Sequence, residues 1–118
     1  MALWSADLQP TSPGGVKGSL GALVQGGVTQ ASITLSFGDP GVTYVWRISS
    51  GDCASEGALF GGRAVYSALT AGDSGTGEAE ASIAGELSSG ASYAARIAES
   101  STGGTGQVLA CGELRPTN

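Results

Sequence analysis

The chain reads as an all-β protein, a sandwich or barrel of seven or eight short strands forming one domain over residues 1–118. Three observations predict this. Apolar and polar residues alternate in short runs, the period-two pattern of strands with one buried face. Glycine supplies 21 of the 118 residues, well above the usual share of about 7%, and falls between those runs without a collagen-like period. No stretch carries a convincing helical period, and no segment repeats another. A chain of this length can bury roughly 65% of its unfolded surface, enough for a single core.

The elements follow in order. Residues 2–9 form a first strand, with Leu3 and Leu8 bracketing Ser5 and Asp7. Residues 10–15, PTSPGG, are a loop by composition. A second strand covers 16–24, and its internal Gly18 and Gly21 predict a bend or bulge. Gln25-Gly26-Gly27 is a tight hairpin turn. The cleanest alternation covers 29–37, with Ala31, Ile33, Leu35 and Phe37 on one face and Ser32, Thr34 and Ser36 on the other. After the turn GDPG at 38–41, Val42, Tyr44, Trp46 and Ile48 alternate with Thr43, Val45, Arg47 and Ser49. A loop then runs through Cys53 to about residue 62, and a short strand is expected within 63–70. Beyond the turn at 71–77, residues 78–84 place Ala79, Ala81 and Ile83 inward. Ser88-Ser89-Gly90 breaks the pattern. Residues 92–98 send Tyr93, Ala95 and Ile97 inward and Ala94, Arg96 and Ala98 outward. A loop at 100–106 precedes the last strand, 107–114.

Composition excludes several functions. Only 13% of residues are charged but 41% are hydrophobic, which is not a disordered composition. The net charge of −5, with Lys17, Arg47, Arg63, Arg96 and Arg115 scattered, offers no basic patch to nucleic acid. No apolar run approaches the ~20 residues of a membrane-spanning helix. Residues 1–4 lead straight into a strand, so no signal peptide is read; for an exported protein the expectation is that it has been removed. Dispersed carboxylates give no calcium-loop pattern, and the SGTG loop lacks the lysine and helix of a phosphate cradle. Hydroxyls are plentiful, but a nucleophile such as Ser49 lacks an adjacent base in sequence. Trp4 and Trp46 are candidates for an aromatic binding surface, although the parity of Trp46 points to the core.

Two cysteines, Cys53 and Cys111, lie far apart without a C-x-x-C motif, a usage that fits one structural disulfide better than a metal or redox site. The alternative is two unrelated buried thiols. Closing a loop of about 59 residues contributes about 4 kcal/mol in the chain-entropy model. A disulfide also favours an oxidising compartment, so the expected location is secreted or periplasmic.

Four landmarks in order resemble the copper-zinc superoxide dismutase family. They are the strand GVTYVWRISS followed by Cys53 in the next loop, the turn LTAGDSG before EAEASI, the strand ARIAE, and VLACGEL around Cys111. The resemblance implies an eight-stranded Greek-key β-barrel and supports pairing of Cys53 with Cys111. It also implies copper held by four histidines and zinc by three histidines and an aspartate. This chain has no histidine. At the positions where the resemblance puts copper ligands stand Arg47, Ser49 and Ala98, here read as vestigial metal-site positions. An arginine stays protonated and repels a cation. The loop that holds zinc in the family is shortened, and Val108 stands where the family has its substrate-guiding arginine.

The expectation is therefore a metal-free, catalytically inactive dismutase-like barrel without a cofactor, serving outside the cytoplasm as a structural or binding module. Arg47 is expected to lie over the outer face beside Ala98 and to pair with Glu99 or Asp52. Two other readings stay open: a dismutase that recruits metal through non-histidine ligands, and an immunoglobulin-like adhesion domain. The latter fold favours a Trp after the first Cys and a Tyr two residues before the second, and neither stands here. A protein partner or a homo-oligomer is left undefined by the sequence.

Overall fold

In a computed structural model, which describes residues 2–11, 16–62, 65–88, 90–99 and 108–117 and only the backbone of Ala2 and Glu99, the alternating runs form antiparallel strands. They are β1 (Ala2–Pro10), β2 (Lys17–Gln25), β3 (Val28–Ser36), β4 (Thr43–Gly51), β5 (Glu56–Leu59), β6 (Leu69–Thr70), β7 (Gly77–Ala84), β8 (Tyr93–Glu99), β9 (Val108–Glu113) and β10 (Arg115–Pro116). No α-helix occurs among the described residues. Their order in the sheet is β5-β4-β8-β9-β1-β2-β3-β7, with β10 beside β1 and β6 beside β4.

The sheet curls into a half-barrel, and β1 is its hinge. Residues 2–8 of β1 pair with β2, while Gln9 and Pro10 pair with Cys111 and Ala110 of β9. Three connections, β3 to β4, β6 to β7 and β7 to β8, cross from one side of the sheet to the other. The outer edge of β7 meets the segment before β6 through side chains, with the Ser67 hydroxyl donating to the Glu80 carbonyl at 3.3 Å.

Strand parity sets the core. Trp4, Ala6 and Leu8 of β1 meet Ile33 and Leu35 of β3, Tyr44, Trp46 and Ile48 of β4, Ile83 of β7 and Ile97 of β8 in one buried cluster. Full burial of such side chains is worth about 1.5–3 kcal/mol each. Trp4 and Tyr93 pack edge to face at 5.7 Å, as do Trp46 and Tyr66 at 4.9 Å. The buried indole of Trp46 donates to the Ser67 carbonyl at 2.7 Å, so its polar edge is satisfied.

Several expectations are corrected. Trp4 is a core residue, 3% exposed, and not part of a binding surface. Phe37 faces solvent, 73% exposed, because the strand ends at Ser36 and Phe37 adopts a left-handed φ of 61° that breaks the parity. The second strand has no bulge: its register with β1 and β3 is continuous through Gly18 and Gly21. Gly18 instead allows close approach, since a Cβ there would stand 2.8 Å from the Thr34 carbonyl oxygen. The strand expected within 63–70 is only Leu69–Thr70; Arg63 and Ala64 lie outside the described residues. So do the loop at 100–106 and most of the loop at 10–15, whose Pro10 belongs to β1. Two short strands, β5 and β10, were not expected. The β2–β3 hairpin is as expected: Gln25 pairs with Val28, and Gly26 and Gly27 both take positive φ, 63° and 81°.

Candidate functional site

Directly opposed residues in a ladder point to the same face. Arg47 of β4 opposes Arg96 of β8, and Arg96 opposes Cys111 of β9. One row, Arg47–Arg96–Cys111, therefore crosses the outer face. The neighbouring rows carry Ser49 beside Ala94, and Val45 beside Ala98. The outward parity of Ala98 is as expected.

An outer face is normally wet, yet Ser49, Ala94, Arg96 and Ala98 are buried. Residues 52–59 fold back over the row as a lid. One side of the lid is pinned covalently, because Cys53 is bonded to Cys111, with Cα atoms 5.9 Å apart. Its far side, β5, pairs with β4 at Ser49↔Leu59 and Gly51↔Glu56. The turn into the lid requires glycine: Gly51 has φ 99°, and a Cβ there would sit 2.3 Å from the Ser55 carbonyl oxygen. The Ser50 hydroxyl accepts from the Ala58 amide at 2.9 Å and ties the lid to β4.

Glu56 is the polar centre of this arrangement. Arg47 donates to it through Nε at 2.6 Å (to Oε2) and through one Nη at 2.9 Å (to Oε1), a two-pronged pairing. The Ser49 hydroxyl donates to Oε2 at 2.7 Å. Arg96 Nε lies 3.9 Å from Oε1. The Arg47 hydrogen bond, aided by Ser49 and by the charges of both arginines, holds the Glu56 carboxyl at about 2, well below the usual carboxylate range. The same partner raises Arg47. A Glu56 carboxylate this acidic is a weak base, so it does not activate Ser49 as a nucleophile.

The expected partners of Arg47 are thus corrected. The Asp52 carboxylate accepts from the amides of Ala54 and Ser55, at 3.0 and 2.8 Å, and shapes the lid turn instead. The side chain of Glu99 lies outside the described residues. Asp52 contributes to the row through its carbonyl, which accepts from Arg96 Nη2 at 2.5 Å. Sequence reasoning passed over Glu56, although a signal existed: it is the one carboxylate between Asp52 and Asp73, three residues past a cysteine bonded beside Arg96.

The residues at the positions where the resemblance puts copper ligands do not fit copper. Arg47 brings a fixed positive charge, the Ser49 hydroxyl is spent on Glu56, and Ala98 has no donor atom. Among the described residues, no three His, Cys, Asp or Glu side chains gather as a metal-binding group. No protein-family model matches the chain, and comparison with curated proteins gives no match.

Proposed function

We propose that this chain is a catalytically silent, metal-free β-barrel of the copper-zinc superoxide dismutase-like type, acting as a structural or partner-binding module in an oxidising compartment outside the cytoplasm. The observation that carries the reading is the Arg47–Glu56 ion pair on the outer face, where the resemblance puts copper. A guanidinium and its carboxylate supply the charge balance there without imidazoles. The sheet order supports the reading too, since its crossings from β3 to β4 and from β7 to β8 are of Greek-key kind. The disulfide from the lid to β9 supports an oxidising compartment.

The immunoglobulin-like reading is disfavoured by where that disulfide lies. In antibody domains it joins the two sheets through the core against a tryptophan. Here it lies in the outer row, with Cys53 exposed, while Trp46 packs on Tyr66 inside. The test is elemental analysis of protein purified without chelator. The expected result is copper and zinc far below one atom per chain; a stoichiometric content of either metal would overturn the proposal.

A further inference from the structure

Two arginines and one carboxylate share the outer row, two positive charges against one negative. Arg47 is well served by Glu56. Arg96 is not: it is 4% exposed, its Nη2 meets a carbonyl, its Nε is beyond hydrogen-bond reach of Glu56, and its Nη1 has no partner among the described residues. Leaving a buried charged donor unmade is costly. The shortfall has a simple origin. A carboxylate has two oxygens and one charge, and Arg47 with Ser49 already takes both oxygens. A tetrahedral dianion has twice the charge and more oxygens, which matches two guanidiniums and a hydroxyl.

We propose that Arg47, Ser49 and Arg96 form a latent site for a phosphate-class dianion, and that Glu56 is an internal stand-in that keeps it closed. The geometry allows the exchange. The Glu56 side chain is 32% exposed, so its carboxylate can swing outward while the Cys53–Cys111 bond stays intact. The Asp52 carboxylate is engaged by the lid turn, so it does not compete for the arginines. Glu113, opposite Ala94, and Asp7, two residues before the Gln9 that opposes Cys111, are also placed by register on this face, and both are exposed to solvent. The proposal stands on this cluster and holds whether or not the dismutase resemblance does.

The test is calorimetric titration of the full chain, disulfide intact, at pH 8 and constant ionic strength in chloride. The titrants are inorganic phosphate and, separately, phosphoserine. Glu56→Ala is expected to bind at least one of them about tenfold more tightly than the native chain. Adding Arg47→Met to Glu56→Ala is expected to abolish that gain. Phosphate alone binding assigns the site to the free ion; phosphoserine binding equally or better assigns it to a phosphoryl group on a partner. Equal affinity in native and Glu56→Ala protein, or a gain that survives Arg47→Met, overturns the proposal. If Glu56→Ala does not fold, the native chain decides the matter by NMR. High phosphate must then shift the Arg47 and Arg96 Nε–H signals where matched chloride does not, and unmoved signals overturn it.

Discussion

Glu56 has a pH signature. Its folded-state pKa is about 2 against a reference of 4.5, so between those values the unfolded chain binds more protons than the folded one. The stabilisation it contributes is therefore present above about pH 4.5 and is lost as pH falls towards 2. Solvent screening of this partly exposed group reduces the effect to about 1 kcal/mol. Urea unfolding from pH 6 to pH 2 should show that loss in the native chain and its absence in Glu56→Gln; parallel curves would refute the assignment. Tyr66 gives the opposite signature. Burial pushes its phenol up to about 12, so its contribution is present below pH 10 and falls as pH rises from 10 towards 12. Phenolate absorbance should show a step near pH 12 that Tyr66→Phe removes; an unchanged titration curve would contradict this. Arg47 was legible at this scale, because its parity placed it outward; its partner was not, because loop conformation carries no period.

The lid shows why some elements stayed hidden. The strand Glu56–Leu59 reads EGAL, four residues without alternation, and its stretch looks like loop by every local rule. It becomes a strand because Cys53 is bonded to Cys111 and Glu56 to Arg47, both tertiary constraints. By contrast β3, β4 and β7 were legible because each has one face in the core and alternates accordingly, whereas β8 is buried on both faces and showed its inner one only through Tyr93, Ala95 and Ile97. Phe37 marks the limit of that rule: alternation persists in sequence one residue beyond the strand. If the disulfide pins the lid, Cys53→Ser should lower stability by about 2–5 kcal/mol, the usual cost of losing a native disulfide in a small domain. Amide exchange should accelerate more at residues 56–59 than in β3. Uniform acceleration across the chain would show that the lid is not a separate unit.

The whole molecule has a half-barrel core and gathers its charged and disulfide-bonded residues on one outer face. Its strand order sets Arg47, Arg96 and Cys111 side by side although they are distant in sequence, a juxtaposition that no local pattern encodes. The lid then closes that row with a carboxylate and a disulfide. Redox turnover of superoxide by a bound copper needs ligands that hold both oxidation states, and a guanidinium, an engaged hydroxyl and a methyl group do not provide them. A net charge of −5 also gives an anionic substrate no attraction from the molecule as a whole. The direct measurement is superoxide consumption by the purified chain after incubation with copper and removal of the unbound metal. The expected rate is no higher than that of a matched buffer treated with copper in the same way; copper-dependent consumption well above that control, retained by the protein, would mean that the chain holds a catalytic copper after all.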